Sequence, residues 1–344
     1  MIRIFKTGPH AHRTPLSYPA LAPLWEEQIT LVDSPGAADL YVFAHVLDIA
    51  EAPPAMLQDW RARKRPVVLL SEEPFWDTIW GKRPMERLIE VDTPAGPLPV
   101  IQLSHQTCAI YRFDRIPYYL LTNPRFHAMY QARFARNAAL LPQDWRRLLA
   151  SRTMDVTFMF ERRPEKYHAV HWPEGDLEGL CSWRTELAEA CRWSGVERLG
   201  HSWQGGQSRL DLADWYGDKM ERLDRRARLM GAIENTHQPD YLTEKFFDAF
   251  ACGSVPFYVA APGHRVHTLG LPPDSWLNLH GLSPEAAAER LRNFRPDSTV
   301  AEALAVAQTR LLTLLDNDTA WAAERARLKT AVLEALETVL AGGS

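Results

Sequence analysis

Two stretches of this 344-residue sequence concentrate side chains able to do chemistry. In the first, Glu234, Asn235 and Thr236 follow the apolar run from Leu229 to Ile233, and Thr243, Glu244 and Lys245 open a helix just after the Pro239-Asp240 turn. A helix N-terminus offers unpaired N–H groups and partial positive charge. A lysine there adds a full charge, and together they suit a phosphate or diphosphate. Glu244, on the same turn, suits sugar hydroxyls. The spacing is met equally well by an ordinary glutamate complementing the helix dipole and a solvated lysine. In the second stretch, the apolar run from Pro66 to Leu70 ends in Ser71-Glu72-Glu73-Pro74 and sets two carboxylates at a strand end. Exposed carboxylates opening a Glu-Pro loop fit the same residues. Arg184, in Ser182-Trp183-Arg184-Thr185, starts another helix, where a guanidinium can meet a diphosphate in bidentate fashion or be one more surface arginine.

The elements needed to position these groups are legible around them. After Thr243, the aromatics Phe246, Phe247 and Phe250 recur at helical spacing, and Gly253 with Pro256 stops the helix. Val255 to Val259 then forms a second apolar run, suited to a parallel strand covered on both sides. The unit is a strand, a polar loop, a helix and a strand, and in such sheets ligands sit outside the carboxyl ends of the strands. Further strands are expected at 2–5, 29–32, 39–43, 155–160, 196–200 and 275–279, with helices starting at Leu21 and spanning 54–65. His10 and His12 fall in the loop after the first strand, the usual place for ligand contacts, and His45 reads as a loop residue. The stretch from His201 to Gly206 reads as a loop in which Trp203 either stacks on a base or anchors the surface.

The motif Ile233-Glu234-Asn235-Thr236, Tyr241-Leu242-Thr243-Glu244-Lys245, then Gly253-Ser254-Val255-Pro256, closely resembles the hallmark of the α-1,3/4-fucosyltransferases, glycosyltransferase family 10. Weaker likeness covers residues 66–76, 110–119 and Ser275-Trp276-Leu277-Asn278-Leu279. The resemblance implies an α/β protein with two Rossmann-like domains facing a cleft (GT-B-like), the second of which holds a GDP-sugar, typically GDP-fucose. It further implies inverting transfer of fucose to a hydroxyl of a glycan or glycoconjugate acceptor, of α-1,3 type. On this match Glu72 is the acceptor base and Glu73 the reserve, since strand alternation sends neighbouring side chains in opposite directions. Arg184 and Lys245 would meet the diphosphate, and Asn235, Tyr241 and Glu244 would orient the donor. No tightly bound cofactor is implied, and a divalent cation is neither required nor excluded. Ala260-Ala261-Pro262-Gly263-His264-Arg265 departs from the family pattern, so the residues leave open another sugar donor on the same diphosphate site, or a binding protein without catalysis.

Length and composition frame these readings. The chain fits two domains of common size, and the expected division is 1–150 on the acceptor side, 151–300 on the donor side and a helical tail over 301–344. A formal charge of −4 gives no broad basic surface for nucleic acid. The basic run from Arg61 to Arg65 is the usual solvated helix end, with a peripheral membrane or anionic-acceptor contact left open. Four cysteines stand far apart without metal spacing and read as reduced, buried thiols; no apolar leader or anchor follows Met1. A cytoplasmic, bacterial-type version without a membrane span is the expectation.

Overall fold

The computed structural model describes residues 1–203 and 212–342 as two compact α/β units. Unit 1 comprises residues 1–124 and 319–344, and unit 2 residues 125–318. The loop residues Gln204, Gly205 and Gly206 lie outside the described residues.

Unit 1 is built on a six-stranded sheet of β1 (Ile2–Lys6), β2 (Ile29–Leu31), β3 (Leu40–Phe43), β4 (Val67–Leu70), β5 (Leu88–Thr93) and β6 (Gly96–Leu103), in the order β2-β1-β3-β4-β6-β5. All neighbours run parallel except β5 and β6, which pair antiparallel as an edge hairpin. Every residue of β3 and β4 is buried, as expected of central parallel strands rich in Val, Leu and aromatic residues. Around the sheet lie α1 (Val46–Ala50), α2 (Pro54–Arg63), α3 (Pro74–Ile79) and α4 (Tyr118–Leu121). Met56 and Leu57 of α2 pack with Tyr41, Phe43, Val67, Leu69 and Val100 in one apolar cluster.

Unit 2 begins with α5 (Pro124–Ala138) and α6 (Pro142–Ala150). Its main sheet contains β7 (Met154–Met159), β10 (Val196–Leu199), β11 (Ala227–Gly231), β13 (Val255–Tyr258) and β14 (Leu277–Asn278), all parallel in the order β10-β7-β11-β13-β14. A small antiparallel sheet joins β8 (His171–Trp172), β9 (Leu177–Gly179) and β12 (Thr236–His237). The remaining helices are α7 (Cys181–Ala190), α8 (Trp215–Leu223), α9 (Glu244–Ala251), α10 (Pro284–Asn293) and α11 (Ser298–Leu315), and α12 (Asp318–Leu340) returns the chain to unit 1.

Renumbered in chain order within each unit, with the antiparallel edge strand β5 set aside, the parallel strands of each sheet run 2-1-3-4-5, the order of a doubly wound fold. Such a sheet opens a crevice where the strand order reverses. In unit 1 the reversal lies between β1 and β3, and in unit 2 between β7 and β11.

Several expectations change. The units divide at Pro124 rather than near 150, because Tyr130, Phe134 and Asn137 of α5 and Trp145 of α6 are buried in unit 2, where Asn137 Nδ2 donates to the Phe250 carbonyl at 3.1 Å. The helical tail is likewise split between units at Asp318. A helix starting at Leu21 shrinks to a single 3-10 turn, Ala22–Leu24, because Pro23 falls inside it. The β5–β6 hairpin was not foreseen, since Pro97 and Pro99 speak against a strand; both lie on β6 where it faces only the edge strand. Gly253 follows α9 at φ +66°, the left-handed conformation its type supplies. Among the described residues no helix is long and apolar enough to cross a membrane. The four cysteines are free.

Candidate functional site

In unit 2 the sequence motif folds back on itself around Glu234. This carboxylate leaves the end of β11 and is 2% exposed. Its Oε1 accepts from the Thr243 backbone N–H at 2.9 Å and from the Thr243 hydroxyl at 2.8 Å. Its Oε2 accepts from Lys245 Nζ at 2.8 Å. Thr243 is the N-cap of α9, so the strand end, the loop and the helix start are tied through one buried anion. Burial raises the Glu234 carboxyl above its ordinary range while the Lys245 charge opposes that rise. Lys245 also reaches Thr243 Oγ1 at 2.9 Å and Glu244 Oε1 at 3.6 Å. Burial would lift Glu244 too, but Lys245 and Lys219 hold it down to about 2, so it is an anion at neutral pH.

Arg184 belongs to the same place through Ile233, the residue before Glu234. Its Nη1 donates to the Ile233 carbonyl at 3.2 Å and its guanidinium lies 4.6 Å from the centre of the Phe160 ring. The residue is only 3% exposed, and its Nε is buried without a hydrogen-bond partner among the described residues. The Arg163 backbone N–H donates to Thr185 Oγ1 at 3.0 Å, which lays the segment after β7 against α7. Arg184 therefore sits where the loops leaving β7 and β11 meet, at the reversal of strand order.

The other expected donor residues have different settings. Asn235 is half-buried; its carbonyl accepts from the Leu180 N–H at 2.9 Å and so fixes the entry to α7. Tyr241 is 1% exposed, with its side chain in the core of unit 2. Lys245, its side chain 25% exposed, meets Glu234, Thr243 and Glu244 with its ammonium and ties the two ends of the motif together. Glu234 was missed as a site residue, although a carboxylate and a lysine at the two ends of one polar loop were the available signal. Trp203 is an anchor: its indole N–H donates to the Phe160 carbonyl at 2.9 Å, and Arg162 and Arg198 lie beside its ring. In the segment that departs from the family pattern, Ala260 is pinned by Asn278, which donates to its carbonyl at 2.7 Å and accepts from its N–H at 3.1 Å.

In unit 1 the two strand-end carboxylates differ in setting. Glu72 is 0% exposed. Its Oε1 accepts from Arg13 Nε at 2.7 Å and Tyr18 OH at 2.5 Å, its Oε2 from Tyr118 OH at 2.7 Å, and its backbone carbonyl from Tyr119 OH. Burial works against the Arg13 charge, but Glu72 and Glu73 outweigh it and hold the guanidinium more firmly protonated. Burial and the Glu72 charge likewise raise Tyr18 and Tyr118. Glu72 is therefore the anchor of a buried network, with no face turned to solvent. Glu73 keeps 8% exposure and lies 3.5 Å from Arg13 Nη2. Beneath it, burial pushes Asp77 up to about 7, with the Glu73 charge adding to the rise and a Ser71 hydrogen bond opposing it.

The basic run on α2 is engaged locally. Arg61 donates to the Ala95 carbonyl at 2.8 Å, Arg63 to Asp59 at 3.0 Å and to the Pro35 carbonyl at 2.6 Å, and Lys64 lies 3.9 Å from the Trp60 ring centre. Among the described residues no group of three or more His, Cys, Asp or Glu side chains is arranged to hold a metal ion.

Residues 203–302 match the family model of the glycosyltransferase family 10 (fucosyltransferase) C-terminal domain. A fucosyltransferase-like protein of Arabidopsis thaliana is 37% identical over 76 residues, which are 22% of this chain and 14% of that protein's length. Two solved structures of α1,3-fucosyltransferase align at 15% identity and a TM-score of 0.42. The one with GDP-fucose aligns over 92% of this chain and 91% of its own. The other aligns over 98% of this chain and 89% of its own.

Proposed function

We propose, from a chain that belongs to glycosyltransferase family 10 through residues 203–302, that this protein transfers fucose from GDP-fucose to a hydroxyl of a glycan acceptor, with inversion at the sugar carbon. The observation that carries the reading is Arg184: a residue that is 3% exposed, whose Nε has no hydrogen-bond partner among the described residues, and that stands at the strand-order reversal of unit 2. A buried N–H without a partner costs about 1–3 kcal/mol. A phosphate oxygen satisfies both its charge and its geometry.

In this reading the departing diphosphate gains its positive partner from Arg184 and from the N-terminal end of α9. Lys245 acts one step back, holding Glu234 and Thr243 so that the helix start keeps its place. Glu244, an anion on that first turn, takes sugar hydroxyls of the donor. Unit 1 serves the acceptor, and Glu73 rather than the enclosed Glu72 is the carboxylate available to an acceptor hydroxyl. No covalent sugar-protein intermediate is involved, because one displacement gives inversion directly.

A binding and turnover screen with GDP-fucose, GDP-mannose and UDP-sugars tests the proposal. The expected result is GDP binding by calorimetry and consumption of GDP-fucose with a fucosylated product. Binding of GDP without turnover of any GDP-sugar would make the protein a nucleotide-sugar binder, and turnover of another donor alone would overturn the fucose assignment.

A further inference from the structure

Behind the first turn of α9 lies a second, deeper cation. Asp248 follows Glu244 by one helical turn and so shares its face of α9. Its carboxylate is 0% exposed and takes three donors: Lys219 Nζ on Oδ2 at 2.6 Å, and the hydroxyls of Tyr130 and Tyr216 on Oδ1 at 2.6 and 2.7 Å. Lys219 and Tyr216 come from α8 and Tyr130 from α5, so three helices of unit 2 meet on one anion. Lys219 is 4% exposed, and its Nζ lies 5.7 Å from the centre of the Trp215 ring. Phe126 of α5 closes the cluster, its ring meeting that of Tyr216 edge-on at 5.2 Å.

The cluster reaches the site through Tyr130. Its hydroxyl lies 3.1 Å from the Glu244 carbonyl as well as 2.6 Å from Asp248, so one proton is shared between the buried carboxylate and the first carbonyl of α9. Burial and the Asp248 charge both raise the Tyr130 hydroxyl, which keeps it a proton donor. By themselves Glu244 and Asp248 would set two like charges four residues apart on one helix face, an arrangement that opposes ionisation of both. Lys219 counters it from the buried side, at 2.6 Å from Asp248, as Lys245 does from the more exposed side, at 3.6 Å from Glu244. The titratable and charged groups packed about Glu244 are Lys245 and Asp248 on α9 itself, Lys219 and Tyr216 on α8, Tyr130 on α5 and Glu234 at the end of β11. Against burial, Lys245 and then Lys219 pull the Glu244 carboxyl down to about 2. Its side chain keeps 19% exposure, which leaves part of an otherwise enclosed anion for a ligand.

We propose that Lys219 is a positioning residue of the donor site, holding the first turn of α9 and the Glu244 carboxylate in place for the donor sugar, an inference that rests on the reading of Glu244 given above. It acts in two ways. Paired with Asp248, it fixes the carboxylate that sets Tyr130 against the Glu244 carbonyl. As a charge, it keeps Glu244 an acceptor for sugar hydroxyls. A lysine that served folding alone would need only the first.

The test is calorimetry on the full chain with GDP and with GDP-fucose between about pH 5 and pH 8, the ratio of the two affinities giving the sugar's share of binding. Glu244→Gln should lower that share roughly 10- to 150-fold across the range, the worth of a hydrogen bond to a charged group. Wild type should hold a constant share, because Glu244 stays ionised throughout. In Lys219→Met the carboxyl is released from a cation and binds its proton at higher pH, so the share should fall about tenfold toward pH 5 and return toward the wild-type value at pH 8. Lys219→Arg, which keeps the charge, should stay constant. Where the stranded Asp248 keeps Lys219→Met from folding, Lys219→Met combined with Asp248→Asn removes both buried charges together, a change that such pairs often tolerate, and the same fall toward pH 5 is expected. A share that matches wild type at every pH, or that drops equally at pH 5 and pH 8, overturns the inference. A share untouched by Glu244→Gln overturns instead the reading that Glu244 takes the donor sugar, and the role of Lys219 with it.

Discussion

Replacing Arg184 with methionine separates what the residue does for folding from what it does for binding. The wild-type residue is 3% exposed, donates from Nη1 to the Ile233 carbonyl at 3.2 Å and leaves Nε without a partner among the described residues. The unpaired donor costs about 1–3 kcal/mol, and the stacking on Phe160 returns about 0.5–2 kcal/mol. Methionine keeps most of the stem, removes the stranded N–H and takes a charge out of a buried position, which is often neutral or stabilising. Arg184→Met is therefore expected to unfold at the wild-type temperature or above it. Binding moves the other way. Each charge-assisted hydrogen bond to a phosphate is worth about 1.5–3 kcal/mol, so losing one weakens GDP about 10- to 150-fold. Calorimetry with GDP and thermal unfolding of the same two preparations give both quantities. Unchanged GDP affinity refutes the placement of the diphosphate. A stability loss as large as a core truncation, about 2–5 kcal/mol, refutes the claim that the folded chain tolerates Arg184 rather than needs it.

Glu72→Gln should destabilise the protein by about 3–5 kcal/mol, because it strips the buried partner from Arg13, whereas Glu73→Gln should stay within about 1 kcal/mol; denaturant unfolding of the two variants decides. Lys245→Met leaves Glu234 buried without its cation, which raises the folded-state carboxyl further. Stability carried by a raised carboxyl is present at low pH and lost as pH climbs through the folded value, so this variant should lose more against wild type at pH 8 than at pH 5, and an equal deficit at both would sink the argument. Asp77, pushed up to about 7, binds its proton more tightly folded than unfolded, so wild-type stability should fall between about pH 4 and 7 with a slope of at most about 1.4 kcal/mol per pH unit from this group; Asp77→Asn should flatten that slope in a series of melting curves.

The parts of the fold that announce themselves are those whose forces are local. The segment from β11 through α9 to β13 is visible because Phe246, Phe247 and Phe250 repeat at helical spacing and Gly253 supplies the positive φ that ends the helix. The doubly wound class follows from the same alternation of apolar runs and helices. The pairing of Glu234 with Lys245 is also local, yet its direction is hidden, because a helix-start lysine looks the same whether it faces an anion or its own loop. The enclosure of Glu72 is hidden for a different reason. Arg13, Tyr18 and Tyr118 are far from it along the chain, and only tertiary folding brings three donors onto one carboxylate. The burial of Arg184 and the lack of a partner for its Nε among the described residues are hidden too, since both are properties of packing. Helices α5 and α6 were expected to lie before the domain boundary, and their amphipathic pattern does not say which sheet they cover.

The return of α12 to unit 1 bears on how the chain can be made and taken apart. Glu324 accepts from the Asp114 N–H at 2.9 Å, Arg327 donates to the carbonyls of Ala109 and Ile110 at 3.2 Å, and Arg325 to that of Ala20 at 3.2 Å. During synthesis every residue of unit 2 is therefore born before the last helix of unit 1. The second half can finish first, and the earlier-made half must wait on the ribosome with the place of α12 unfilled. A fragment cut after residue 124 reproduces that waiting state permanently. A graft that exchanges acceptor-side units between relatives must carry two separated pieces of chain, 1–124 and 319–344, to transfer one folded body.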